Sequence, residues 1–196
     1  MSEASCATRA WNRLSEAAAF ALTLHAAQLR KGTEIPYIAH LLSVAALVLE
    51  HGGDEDLAIA GLLHDAVEDC GVEHEAVIEA RFGARVAAVV RDCTDADSFP
   101  KPPWQARKQA YLDHLETASP DALLVSACDK LHNARAIATD LRTHGPAVFT
   151  RFKAGQAGTL WYYRALADVF TRRLPGPLAR ELNDVVAAVE RQTAAL

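Results

Sequence analysis

Apolar residues recur along this chain with a helical period almost throughout. From about Trp11 to Leu29 the positions Leu14, Ala17, Ala18, Ala21, Leu22, Leu24 and Ala26 repeat at helical spacing. Gly32 stands where a helix C-terminus favours a left-handed residue. Pro36 forces an extended approach to Tyr37-Ile38-Ala39-His40. Leu41 to His51 then reads as a strongly apolar helix closed by Gly52-Gly53. Asp54 as N-cap and Asp56 in the first turn predict a third helix running to Cys70-Gly71. Short helices are expected over 73–82 and 84–93, and longer ones over 104–117, 121–141, 147–174 and 178–194. Ser119-Pro120, His144-Gly145-Pro146 and Pro175-Gly176-Pro177 separate the later ones. No strand-like alternation, internal repeat or low-complexity segment interrupts the pattern. It predicts an all-α chain, an irregular helical bundle forming one domain over 1–196, with a loose leader over 1–10. The long polar loop Asp95 to Pro103 reads either as a lid or as an ordinary surface loop.

The third helix carries the densest chemistry. In Ala60-Gly61-Leu62-Leu63-His64-Asp65-Ala66-Val67-Glu68-Asp69-Cys70, read as one continuous helix, the four ionisable groups share one side. Ile59, Leu62, Leu63, Ala66 and Val67 supply the apolar surroundings. Carboxylates grouped beside an imidazole are costly to bury unless a cation or hydrogen bonds compensate them. A divalent metal is the simplest compensation, since His and Asp are ordinary ligands for one. A His-Asp dipeptide alone is weak support in a chain with 8 histidines, so further ligands are needed.

Composition narrows the setting. Hydrophobic residues make up 51% and charged residues 23%, as in a soluble globular chain. A net charge of −5 provides no global basic field, so no nucleic-acid partner is expected, and any anionic ligand must meet a local basic cluster. No apolar run approaches the roughly 20 residues that span a bilayer. Cys6, Cys70, Cys93 and Cys128 form no C-x-x-C pair, and there is no secretory leader, so reduced thiols in the cytoplasm are expected.

Further ligands are present. His40 opens the second helix, where a side chain can project into a cavity; a lone histidine there also has an ordinary structural reading, and gains weight if His64 needs a partner. Asp129 follows the apolar Leu123-Leu124-Val125 stretch, so burial makes it ask for a base or a metal. Asn133 lies one turn on, along the same face. His40, His64, Asp65 and Asp129 together offer two imidazoles and two carboxylates from three helices. That mixed set suits a first-row divalent ion with open positions, and its lack of thiolates argues against structural zinc. Glu68 and Asp69, one turn beyond, can accept a proton or hold a water. Arg30 and Lys31 are read either as cations completing a helix C-terminus or as contacts to phosphate or nucleotide.

These words fall in a recognisable order. His25-Ala26-Ala27-Gln28-Leu29-Arg30-Lys31-Gly32, continuing through Pro36-Tyr37-Ile38-Ala39-His40-Leu41, resembles AHxGQxRKxGxPYIxHL. Leu62 to Asp69 reads LLHDAVED, Phe82-Gly83 supplies FG, and Asp129 to Arg135 reads DKLHNAR. Over about residues 16–141 the chain resembles the HD hydrolase domain of the RelA/SpoT family, specifically the stand-alone small alarmone hydrolases. The resemblance implies an HD-type helical fold and one divalent metal, usually manganese (Mn2+), on His40, His64, Asp65 and Asp129. It implies Glu68 and Asp69 as the pair that activates or positions water. It places Arg30 and Lys31 beside a guanine nucleotide and Asn133 on its ribose or base. The implied activity is hydrolysis of guanosine 3′,5′-bis(diphosphate), ppGpp, or its pentaphosphate at the 3′-pyrophosphate.

The chain departs from the family pattern in places. Ala27 stands for the glycine of AHxGQ, Val125-Ser126-Ala127-Cys128 precedes the third word, and Ala136 replaces a threonine that helps bind nucleotide. The metal set is untouched, whereas base and phosphate selectivity stay open. Alternatives are an adenosine alarmone analogue, the NADPH 2′-phosphate, a deoxynucleoside monophosphate, or a non-catalytic nucleotide-binding protein. Trp161, Tyr162 and Tyr163 read as core and rim, and Arg107, Lys108 and Arg142 as solvated cations able to reach a pyrophosphate. His132 is expected to hydrogen-bond structurally, and His25 has no evident partner. An oligomer is compatible with all of this.

Overall fold

The computed structural model describes residues 11–94 and 102–194. Among them run α1 (Asn12–Leu24), α2 (Ile38–Glu50), α3 (Glu55–Leu63), α4 (Ala66–Cys70), α5 (His74–Phe82) and α6 (Ala84–Cys93). After residues outside the description come α7 (Trp104–Leu115), α8 (Pro120–His144), a 3₁₀ segment Gly145–Arg151, α9 (Gly155–Arg173) and α10 (Pro177–Ala194). The all-α expectation holds: the only β-type pairing among the described residues is an isolated bridge between Leu29 and Pro36. The leader 1–10 and most of the 95–103 loop lie outside the described residues.

α3 is the hub. Every residue from Leu57 to Leu63 is buried, as expected of a helix apolar all round. It packs against α1, α2, α6 and α8 at once. Asp54 caps it, its carboxylate accepting from Leu57 N–H at 3.1 Å. Gly61 lets α2 approach: a Cβ there would stand 3.3 Å from Ala45 Cα and 3.4 Å from Ala45 N. α8 begins at the Ser119 cap with Pro120 in its first turn, and runs the length of the site. Its second half shares a smaller apolar cluster, Ile137, Leu141, Val148, Phe149 and Val189, with the 3₁₀ segment and α10. Leu178, Leu182 and Val186 of α10 belong to the main core.

Three expectations are corrected. The helix from Asp54 does not continue to Cys70: α3 ends at Leu63, and α4 restarts at Ala66. The Gly61 carbonyl, which an unbroken helix would offer to the Asp65 N–H, accepts from His64 Nδ1 at 2.9 Å. The first helix stops at Leu24 rather than Leu29. Arg30 and Lys31 therefore complete no helix terminus; they sit in a turn whose Arg30 N–H donates to Ile35 O at 2.8 Å. Finally, residues 147–174 are not one helix, because the 3₁₀ segment and a turn precede Gly155. Gly155 takes φ +61° there, in the left-handed region open to glycine.

Candidate metal centre

The site begins at the break, residues 64–65. Neighbouring side chains on a regular helix point roughly 100° apart. In the turn, His64 Nε2 and Asp65 Oδ2 come within 3.0 Å of each other. α2 brings His40 Nε2 to 3.7 Å from the same Asp65 oxygen. From α8, Asp129 Oδ1 lies 3.2 Å from His40 Nε2 and 3.6 Å from His64 Nε2. Donor atoms of His40, His64 and Asp65 all fall within 4.8 Å of one another. His40, His64 and Asp129 are 1, 2 and 4% exposed.

Both Nε2 atoms are buried without a hydrogen-bond partner. They are close to carboxylate oxygens but not aligned to donate to them. Their second nitrogens explain this. A carbonyl only accepts, so His64 carries its proton on Nδ1 for Gly61 O, which leaves the Nε2 lone pair inward. His40 Nδ1 meets His132 Nδ1 at 2.8 Å, and a proton on His40 Nδ1 likewise turns its Nε2 lone pair inward. Two inward lone pairs beside two carboxylates fit a divalent cation by donor chemistry and by convergence.

The electrostatics ask for the same thing. Burial opposes ionisation of Asp65 and Asp129, yet His64 beside the first and Lys130 beside the second hold both below the usual carboxylate range. Burial pushes His40 down, whereas Asp65 and Asp129 overcome burial and push His64 well up: the two carboxylates call for a positive charge at His64 Nε2, which either a proton or a metal ion on that lone pair supplies. The carboxylates draw in whatever positive charge is near. Lys130 Nζ donates to Asp129 Oδ2 at 2.6 Å, and Tyr37 OH to Asp65 Oδ2 at 2.6 Å. Burial, then Asp65, push Tyr37 far up, so its hydroxyl stays a donor. Burial, then His40, push His132 down to about 4, so it stays a neutral acceptor.

Glu68 and Asp69 project from α4 into a cavity of about 550 Å³ beside the centre. Its rim is cationic, with Lys31, Arg107, Lys108, Lys130 and Lys153. Arg107 comes within 4.0 Å of Glu68. A second cavity of about 510 Å³ carries Arg30, Arg135 and Arg151 among apolar Ile35, Ile137 and Phe152. Lys31, Asn133, Phe152 and Tyr163 line both. Asn133 is tied at both ends: its amide donates to Asp129 Oδ1, and its Oδ1 accepts from Arg30 at 2.8 Å.

The nine predicted site residues thus gather in one region, as four clustered donors, two adjoining acids and three cavity-lining contacts. Arg107 and Lys108 join them. Arg142 does not; it bonds Thr139 on the exposed side of α8. Tyr162 and Tyr163 are both core and cavity wall. His132 makes the expected bond, and its partner is a candidate ligand. Sequence reasoning missed Tyr37, Lys130 and Gln28. Each stands inside one of the quoted words, which was the available signal.

Residues 17–160 match the family model described as HD domain. The chain belongs to the HD-domain family. Among HD proteins it is 42% identical over 123 residues to the guanosine-3′,5′-bis(diphosphate) 3′-pyrophosphohydrolase MESH1 of Xenopus tropicalis, covering 61% of this chain and 66% of that one. Against human MESH1 the identity is 40% over 126 residues, covering 63% and 68%. A solved structure of a metazoan orthologue of SpoT, described as hydrolysing ppGpp, superposes with a TM-score of 0.76. Its identity is 26%, over 93% of this chain and 97% of that one. The structure of lmo0812 from Listeria monocytogenes gives 0.67 at 28% identity, over 79% and 99%. This HD chain is matched along about two thirds of the vertebrate sequences and nearly all of the two solved structures.

Proposed function

We propose that this protein is a metal-dependent 3′-pyrophosphohydrolase acting on ppGpp and its pentaphosphate, releasing pyrophosphate and GDP or GTP. The observation that carries the reading is the pair of unpartnered Nε2 atoms, on His40 and His64, converging with Asp65 and Asp129 between two cationic cavities. The activity printed for the MESH1 relatives supports the choice of substrate.

His40, His64, Asp65 and Asp129 hold a divalent ion, for which we propose Mn2+. Such an ion supplies Lewis-acid activation of water and phosphate. Lys31, Arg107, Lys108 and Lys153 neutralise the diphosphate in the larger cavity. Arg30 and Asn133 orient the nucleoside from the other side. Glu68 and Asp69 take up the proton of the attacking water and return one to the 3′ oxygen as its bond to phosphorus breaks. The free thiols of Cys70, Cys93 and Cys128 support a cytoplasmic setting. Among the described residues no helix is long and apolar enough to cross a membrane.

A second reading keeps the chemistry and changes the nucleotide; Ala136 in the second cavity favours it. Turnover of ppGpp with Mn2+, beside its adenosine analogue and NADPH, separates the two. Release of pyrophosphate and GDP, lost on chelation, is expected. Cleavage of another substrate alone would move the assignment to that nucleotide. Silence on all three, with metal bound, would replace it by nucleotide binding without catalysis. Glu68→Ala should keep the metal and slow turnover about 10²-fold or more, and full activity would remove Glu68 from the reaction.

A further inference from the structure

One buried ring near the centre has no part in the chemistry so far. His25, 3% exposed, follows α1 directly. Its Nδ1 lies 2.6 Å from Gln28 Oε1. Gln28 Nε2 then donates to Asp69 Oδ2 at 2.8 Å. The same His25 ring stacks on Tyr37, with centroids 5.4 Å apart and planes 28° apart. Tyr37 is the residue whose hydroxyl holds Asp65. One imidazole therefore stands behind a candidate metal ligand and a candidate proton acceptor.

The order of atoms in this chain matters. A carboxamide has a donating and an accepting end, and a carboxylate accepts only. With the proton on His25 Nδ1, Gln28 must present Oε1 to the ring and its NH₂ to Asp69. The reversed amide would set an oxygen against the carboxylate and a donor against a donor. The Gln28 bond gives Asp69, on a helix of only five residues, a fixed contact from outside that helix. The bond reaches across 41 residues of sequence, from the turn after α1 to α4.

We propose that His25 and Gln28 are positioning residues for the hydrolysis: His25 fixes the polarity of the Gln28 carboxamide, and Gln28 holds Asp69 by Oδ2, so that Oδ1 takes the proton from the attacking water. This rests on the reading of Asp69 given above. The Gln28–Asp69 bond is exposed, so it stabilises the fold little, and a catalytic effect can be read apart from unfolding.

The test is a double-mutant cycle of Gln28→Leu and Asp69→Asn on the full chain, with kcat, KM, bound metal and thermal midpoint measured for each. Gln28→Leu should lower kcat about 10–100-fold, as loss of an orienting partner does, with KM, metal content and midpoint nearly unchanged. In the Asp69→Asn background it should cost nothing further. Losses that multiply, or full kcat in Gln28→Leu, would overturn the proposal. A second arm needs neither metal nor turnover. In metal-free protein labelled with ¹⁵N-glutamine, the side-chain amide signal that Gln28→Leu removes should shift in Asp69→Ala and in His25→Phe. An unmoved signal would overturn the contact itself. A wild type silent on ppGpp with this signal shifting would remove the substrate assignment and leave the His25–Gln28–Asp69 arrangement standing.

Discussion

His40 Nδ1 and His132 Nδ1 lie 2.8 Å apart, so two imidazoles share a single proton. Only when His132 accepts does His40 keep its Nε2 lone pair for the centre. Burial above all, with the Arg30 guanidinium nearby, keeps His132 neutral and able to accept. His132→Ala should therefore weaken metal binding about 10–100-fold while leaving the four donors in place. Calorimetric titration of metal-free protein with Mn2+ checks this, and unchanged affinity would free His40 from that partner.

The same pair shows what was legible beforehand. His40, His64, Asp65 and Asp129 could be read because each stands in a short word with chemically distinctive neighbours. The helical period could be read because apolar residues recur along it. The break after Leu63 could not. It depends on a side chain taking a carbonyl from the backbone, and periodicity counts apolar positions without seeing such bonds. Arg30 and Lys31 were ambiguous for a similar reason, since apolar spacing carries on to Leu29 although α1 ends at Leu24. Support from Tyr37 and Gln28 was hidden because it depends on contacts 28 and 41 residues away along the chain.

Lys130 is a half-buried cation whose charge the buried Asp129 needs. Asp129 Oδ2 takes its ammonium at 2.6 Å, and the ammonium also lies over the Tyr111 ring at 5.1 Å. Lys130→Met leaves a buried carboxylate short of positive charge. Breaking one side of a buried pair costs about 3–5 kcal/mol. Urea denaturation of the metal-free protein should show that loss. Saturating metal should recover part of it, because the ion returns positive charge to Asp129. A loss of the same size with and without metal would mean that Lys130 acts only by packing.

Gly61 sets how closely α2, which carries His40, meets α3, which ends beside His64. The atoms a Cβ would press on are backbone atoms of Ala45, which cannot rotate away. Gly61→Val should cost about 1–3 kcal/mol of stability by overpacking. It should also weaken metal binding, since parting the helices parts the two Nε2 atoms. Loss of stability with unchanged metal affinity would show that the centre tolerates that movement.

Removing the metal should lower stability as well as stop turnover. A ligand that binds only the folded state at 100 times its dissociation constant adds about 2.7 kcal/mol. For a chain of 196 residues that corresponds to a midpoint shift of roughly 5–11 °C. Melting scans with Mn2+ and with chelator should differ by that amount in the wild type. They should coincide in His64→Ala, which lacks a donor. A shift that persists in His64→Ala would place the stabilising ion elsewhere on the protein.

Ala136 offers a way to read base selectivity. It lines the smaller cavity with Ile137 and Asn133, one turn along α8 from the residue that ties Arg30 to Asp129. A threonine here would add a hydroxyl that can both donate and accept. If the guanine edge of the substrate faces this wall, one added hydrogen bond, worth about 1 kcal/mol net, should raise kcat/KM for ppGpp about five-fold. The adenosine analogue presents a different donor and acceptor order and should gain less. Ala136→Thr with both substrates measures the ratio directly. An equal gain on both would mean that the base is read elsewhere, with Arg30 and the second cavity's arginines as the next residues to vary.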